Sequence, residues 1–172
     1  MLERLRPKDL IGSVFEITPA FLEQRGLKAL LLDIDNTLVP HGKLETPEAD
    51  LERVRLWLEP LFLAGIGLRI VSNARTARID FHAKAFGLKA VGTGKTAGKP
   101  FVAVFRTAIQ ELKLPAFQIA MLGDQVFTDV LGANNAGIHS ILVRPMSDNA
   151  MPHTHLARML ERLVLKRFGL SW

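Results

Sequence analysis

The chain has 172 residues, 48% of them apolar and 23% charged, with a net charge of +5 and no cysteine. That length holds one domain with a real core, and the composition excludes disorder and fibrous repeats. Disulfides, thiolate metal sites and cysteine nucleophiles are excluded as well, so any metal must sit on oxygen or histidine.

Glu3 and Asp9 lie in an N-terminal segment, 1–26, with no apolar leader core, and no run of about 18 uncharged apolar residues follows. Secretion and membrane spanning are therefore not expected, and the location expected is cytoplasmic. Ala29-Leu30-Leu31-Leu32-Asp33-Ile34 is a continuous apolar run ending in carboxylates, the pattern of a strand buried on both faces. Thr46-Pro47-Glu48 offers an N-cap, a first-turn proline and an acidic first turn, and Leu51, Val54, Leu58 and Leu61 follow at helical spacing.

The pattern repeats with a strand over Gly67–Val71, a helix over Arg75–Phe86, a brief strand over Lys89–Val91 and a helix over Pro100–Leu112. A strand over Gln118–Leu122, a short helix over Phe127–Ala136 and a strand over Ser140–Val143 complete it. Alternating strands and helices predict an α/β fold: a parallel sheet of about five strands with helices on both faces, in a single domain. A basic amphipathic helix over 152–172 closes the chain.

Ligands of such sheets bind beyond the carboxyl ends of the strands. Asp33 and Asp35 follow the first strand, Ser72 and Asn73 the second, Lys99 comes shortly after the third, and Gly123-Asp124 with Asp129 follow the fourth. Carboxylates and a lysine gathered at one sheet edge call for a charged ligand, and Mg²⁺ with a phosphate fits those residue types best. The loop "VGTGKTAGKP" contains Gly94-Lys95-Thr96, half of a P-loop, but Lys89 stands where the first glycine is needed. Lys99 is therefore the better candidate for the phosphate, with Lys95 as its rival.

"DIDNT" at 33–37, "VSNA" at 71–74, "GKP" at 98–100 and "GDQVFTD" at 123–129 resemble the four ordered motifs of the haloacid dehalogenase superfamily. The resemblance implies a Rossmann-like sheet, Asp33 as nucleophile and Asp35 as general acid and base. It further implies Mg²⁺ held by Asp33, Asp124 and the backbone carbonyl of Asp35, with Ser72, Asn73 and Lys99 on the phosphoryl group and Thr37 and Asp129 in support. An aspartate two residues after the nucleophile resembles the phosphatase and mutase branches.

Neither the 39–46 connection nor the 91–99 connection has room for a cap domain, so an open site and a bulky substrate are expected. The whole chain further resembles the class IIIA, YqeG-like branch, which is similar to phosphatidylglycerophosphate phosphatases. That likeness implies a phospholipid headgroup as the phosphorylated partner, and not nucleic acid.

Apolar Leu10, Ile11, Val14, Phe15 and Ile17 near one end, and Leu156, Met159, Leu160, Leu163, Val164 and Phe168 near the other, suggest peripheral contact with an anionic membrane through Arg158, Arg162, Lys166 and Arg167. A terminal helix packed on the sheet explains the same pattern. His153 and His155 read as cap or tail residues, while His41 lies in the loop after the nucleophile strand, where a leaving group would pass. The alternatives are a phosphatase of a soluble or protein phosphoester, and a regulatory phosphate-binding or ribosome-linked module.

Overall fold

A computed structural model of the chain describes residues 2–42, 46–92, 98–147 and 152–171, the last stretch without the side chains of 152–156. Among these residues six strands, β1 (Asp9–Ile11), β2 (Ala29–Leu32), β3 (Gly67–Ile70), β4 (Lys89–Ala90), β5 (Ile119–Gly123) and β6 (His139–Val143), form one sheet in the order β1-β6-β5-β2-β3-β4. Every pairing is parallel. The helices are α1 (Pro19–Gln24), α2 (Glu48–Leu63), α3 (Thr76–Phe86), α4 (Val102–Leu112), α5 (Leu131–Ala136) and α6 (Pro152–Arg167).

β2 is central, and all four of its residues are buried. Leu30 and Leu32 pack with Val54, Leu58 and Leu61 of α2 and Ile79 of α3, while Ala29 and Leu31 pack with Val104 and Phe105 of α4 on the other face. Two covered faces explain the unbroken apolar run, and each buried leucine contributes roughly 2–3 kcal/mol. A third cluster joins Val126, Val130 and Leu142 to Leu165, seating α6 on the sheet.

The sixth strand is a correction to the expected five. Asp-Leu-Ile is too short to show a period, and its pairing partner, β6, lies some 130 residues further on, with Asp9 beside Ile141 and Ile11 beside Val143. Ile11, Val14 and Ile17 are accordingly buried in the core, and Trp57 Nε1 donates to the Ile17 carbonyl at 2.9 Å. Of the apolar N-terminal residues expected at a membrane, these three face inward.

Three boundaries also move. Pro47, with extended φ and ψ, occupies the cap position of α2 without a side-chain cap, so Thr46 is not the N-cap; its hydroxyl lies 2.8 Å from His82 Nε2 instead. Pro100 lies ahead of α4, which starts at Val102. The helix expected over Phe127–Ala136 begins as a single π turn, Val126–Val130, that runs into α5. The connections 33–47 and 91–101 are too short for a folded cap, and no cap domain is present among the described residues.

Candidate active site

The site lies at the switch point of the sheet. Leu32 of β2 is in register with Ile70 of β3 and Leu122 of β5, so the residues that leave these three strands emerge side by side. Asp33 N donates to the Leu122 carbonyl at 3.0 Å and Val71 N to the Leu32 carbonyl at 2.9 Å, carrying the ladder one residue past the strands. Asp33, Ser72 and Asp124 thus share one edge.

Lys99 is 5% exposed, and its ammonium sits 2.9 Å from Asp33 Oδ1 and 2.6 Å from Asp129 Oδ1. Asn73 holds that lysine by its backbone: Nδ2 donates to the Lys99 carbonyl at 2.9 Å, and Oδ1 accepts from Lys99 N at 2.9 Å. A side chain at Gly98 would place its Cβ 2.4 Å from Asn73 Oδ1, which is why the residue before the lysine is glycine. Gly123 has the same reason, since a Cβ there would lie 2.3 Å from the Asp129 carboxyl.

Asp33, Asp124 and Asp129 are all buried and bring carboxylate oxygens within 4.8 Å of one another. Burial first, with Asp33 and Asp129 adding to it and Arg158 opposing, pushes Asp124 up to about 8. Burial, and then Asp33, pushes Asp129 up to about 6 against the downward pull of Lys99. Burial works against the Lys99 ammonium as well, but Asp129 and Asp33 outweigh it and its value is raised.

Among the described residues Asp124 Oδ1 is buried without a hydrogen-bond partner, as is Thr37 Oγ1. An all-oxygen donor set short of positive charge, with an unpartnered carboxylate oxygen, fits a hard divalent cation such as Mg²⁺.

The Asp35 carboxyl stands outside that cluster. Its Oδ1 accepts from Arg78 Nε at 2.8 Å and lies 2.7 Å from Arg78 Nη2, with His41 Nδ1 at 3.6 Å. Ser72 Oγ accepts from Ala74 N at 3.3 Å and, with Gly92, Gly98 and Lys99, lines a small cavity of about 360 Å³. Lys95 lies outside the described residues, as do the side chains of His153 and His155.

A HAD-hydrolase-like family model matches residues 96–159. The probable phosphatase YqeG of Bacillus subtilis (strain 168) is 34% identical over 170 residues, covering 96% of this chain and 95% of that protein. The chain belongs to this family of haloacid-dehalogenase-like phosphatases. A second relative of the superfamily, the haloacid dehalogenase-like hydrolase domain-containing protein 3 of Xenopus laevis, is 31% identical over 85 residues, 46% of this chain and 35% of that protein.

The fold of the phosphatase recurs in solved structures. An uncharacterized protein from Listeria monocytogenes serotype 4b aligns at TM-score 0.52 and 23% identity, over 82% of this chain and 99% of that one. The cobalt-bound deoxy-D-mannose-octulosonate 8-phosphate phosphatase of Haemophilus influenzae aligns at TM-score 0.52 and 16% identity, over 84% and 91%.

Two arginines of this phosphatase engage carboxylates of the site without belonging to any of the four motifs. Arg158 of α6, expected against lipid, turns inward: its guanidinium pairs with the Asp124 carboxylate, donates to the Asp124 carbonyl and reaches Glu161 Oε2 at 2.9 Å. Glu161 Oε1 in turn accepts from Val126 N at 2.7 Å and caps the π turn. Arg78 of α3 is the other. It shares a buried helix face with Ile79, His82 and Phe86, and an arginine on such a face is the one sequence signal that it meets a carboxylate.

Proposed function

We propose that this phosphatase is a Mg²⁺-dependent phosphomonoester hydrolase that works through an aspartyl phosphate on Asp33 and converts phosphatidylglycerophosphate to phosphatidylglycerol. Asp33 Oδ attacks phosphorus as the bond to the leaving oxygen breaks, and Asp35 gives that oxygen its proton. Asp35, now a carboxylate, takes a proton from the water that attacks the aspartyl phosphate, releasing inorganic phosphate and restoring Asp33. Lys99 and the Ser72 hydroxyl bind the transferring oxygens, with Asn73 and Asp129 holding the lysine and Thr37 supporting the loop. Asp33, Asp124 and the Asp35 carbonyl would hold Mg²⁺, which when bound offsets charge on the phosphoryl group.

The observation that carries the chemistry is the buried Asp33–Lys99–Asp129 chain beside Asp124 at the sheet's switch point. The lipid substrate rests on kinship with the class IIIA branch, and two structural features support it. A groove of about 1020 Å³ opens on Asp124 and Thr37 and is walled by basic Arg144, Arg162 and Lys166 and by apolar Leu142, Leu165 and Leu170. Beside it, Met159, Leu160 and Leu163 of α6 are exposed, an apolar stripe suited to an acyl-chain boundary. No described helix is long and apolar enough to cross a membrane, so the contact proposed is peripheral.

The test is phosphate release with Mg²⁺ from phosphatidylglycerophosphate in mixed micelles beside a generic aryl phosphate. A kcat/KM at least tenfold higher on the lipid is expected; equal values would assign the chain a soluble phosphoester instead.

A further inference from the structure

The Asp35 carboxyl is held from behind by a half-buried relay that reaches Thr46, just ahead of α2. Arg78, with 8% of its side chain exposed, directs Nε and Nη2 at the same oxygen, Oδ1, at 2.8 and 2.7 Å. Nη2 also donates to the Pro40 carbonyl at 3.2 Å, which ties the guanidinium to the loop that carries Asp35. The backbone behind Arg78 is pinned in turn, because its carbonyl accepts from His82 Nδ1 at 2.8 Å.

A carbonyl only accepts, so Nδ1 carries the proton. Burial lowers the His82 value and favours the neutral ring. Nε2 is then an acceptor, and the Thr46 hydroxyl, 2.8 Å away, donates to it. Thr46, His82, Arg78 and Asp35 thus form one line of contacts from the start of α2 to the reacting loop.

We infer that Arg78 is a positioning residue: its planar fork fixes the rotamer of Asp35 so that the proton is delivered to the leaving oxygen along one line. This rests on the role proposed for Asp35. A guanidinium suits the task better than an ammonium, since two donors held in one rigid plane converge on Oδ1 and fix that oxygen where a single rotating ammonium does not. Arg78 acts through the Asp35 carboxyl.

The test exploits leaving-group chemistry. An aryl phosphate such as p-nitrophenyl phosphate loses a stable phenolate and needs little proton donation, whereas an alkyl phosphate needs the acid. In Arg78→Met, the ratio of kcat on the alkyl ester to kcat on the aryl ester should fall at least tenfold, within the ~10²–10⁴-fold that acid–base catalysis supplies. Asp35→Asn should lower the ratio likewise, and the double variant should lose nothing further. Arg78→Lys should fall between wild type and methionine.

Equal losses on both esters, or none, would overturn the inference and leave Arg78 structural. Should Arg78→Met fail to fold, Arg78→Lys decides, and a ratio within twofold of wild type sinks the positioning role. If Asp35→Asn itself shows no leaving-group dependence, it is the acid–base reading of Asp35 that fails.

Discussion

Replacing Lys99 by methionine keeps the shape of the stem and removes a cation that touches both Asp33 and Asp129. The ammonium is almost wholly enclosed, so the two carboxylates would be left facing each other in a site water barely enters. Breaking a buried pair in this way costs about 3–5 kcal/mol. Protonation limits the loss: Asp129 already sits at about 6 with the lysine pulling it down, and without that pull it rises further. The lower end, about 3 kcal/mol, is therefore expected in chelator at neutral pH, a fall in Tm of roughly 6–12 °C for a chain of this size.

A carboxyl whose folded value lies above its unfolded one loses stability as pH rises between the two, so the deficit should widen as pH rises above about 6, where Asp129 has ionised in the wild type and is still protonated in the variant. With Mg²⁺ added, kcat should fall at least ~10²-fold, the scale of losing one electrostatic stabiliser of the transferring group. Melting curves and steady-state kinetics check both, with Lys95→Met as the control. A Lys99→Met enzyme that keeps its activity while Lys95→Met abolishes it would refute the assignment of the lysine.

Three further substitutions probe other parts of the structure. Gly123→Ala puts a Cβ 2.3 Å from a carboxyl that cannot yield without leaving Lys99, so about 1–3 kcal/mol of stability and at least tenfold in kcat should be lost, read by melting and turnover. Arg158→Gln removes the cation that would compete with the proposed metal for Asp124; chelated protein should melt lower while half-saturating Mg²⁺ falls at least threefold in an activity titration. Asp9 is raised by burial, but Arg25 and His139 outweigh it and hold the group below its usual range. Its stabilisation is present above about pH 4 and lost as pH falls through the folded value, so Asp9→Asn should cost about 1–2 kcal/mol at neutral pH and progressively less in acid, by denaturant titration.

What could be read in the sequence was what depends on local pattern. β2 was legible because burial on both faces removes every polar residue until the chain reaches Asp33, and Ser72, Lys99 and Asp124 follow from strand ends in the same way. β1 was not, because three residues carry no period and its place is set by a partner at the far end of the chain.

Asn73 looked like a phosphate ligand from its neighbour Ser72, yet both ends of its amide contact the Lys99 backbone, a contact across 26 residues that no motif spacing encodes. Arg158 is separated from Asp124 by 34 residues and by the whole of α5 and β6; the seating of Leu165 against Val126, Val130 and Leu142 brings it there. Arg78 carried a faint signal, a charge on the buried face of α3, whose meaning depends on where that face lands.

The most direct test of the covalent chemistry at Asp33 is acid quenching during turnover, followed by peptide mass spectrometry. A phosphoryl adduct on the peptide that contains Asp33, formed with substrate and missing in Asp33→Asn, is the result expected. Turnover that continues in Asp33→Asn, or an adduct on any other residue, would contradict the mechanism.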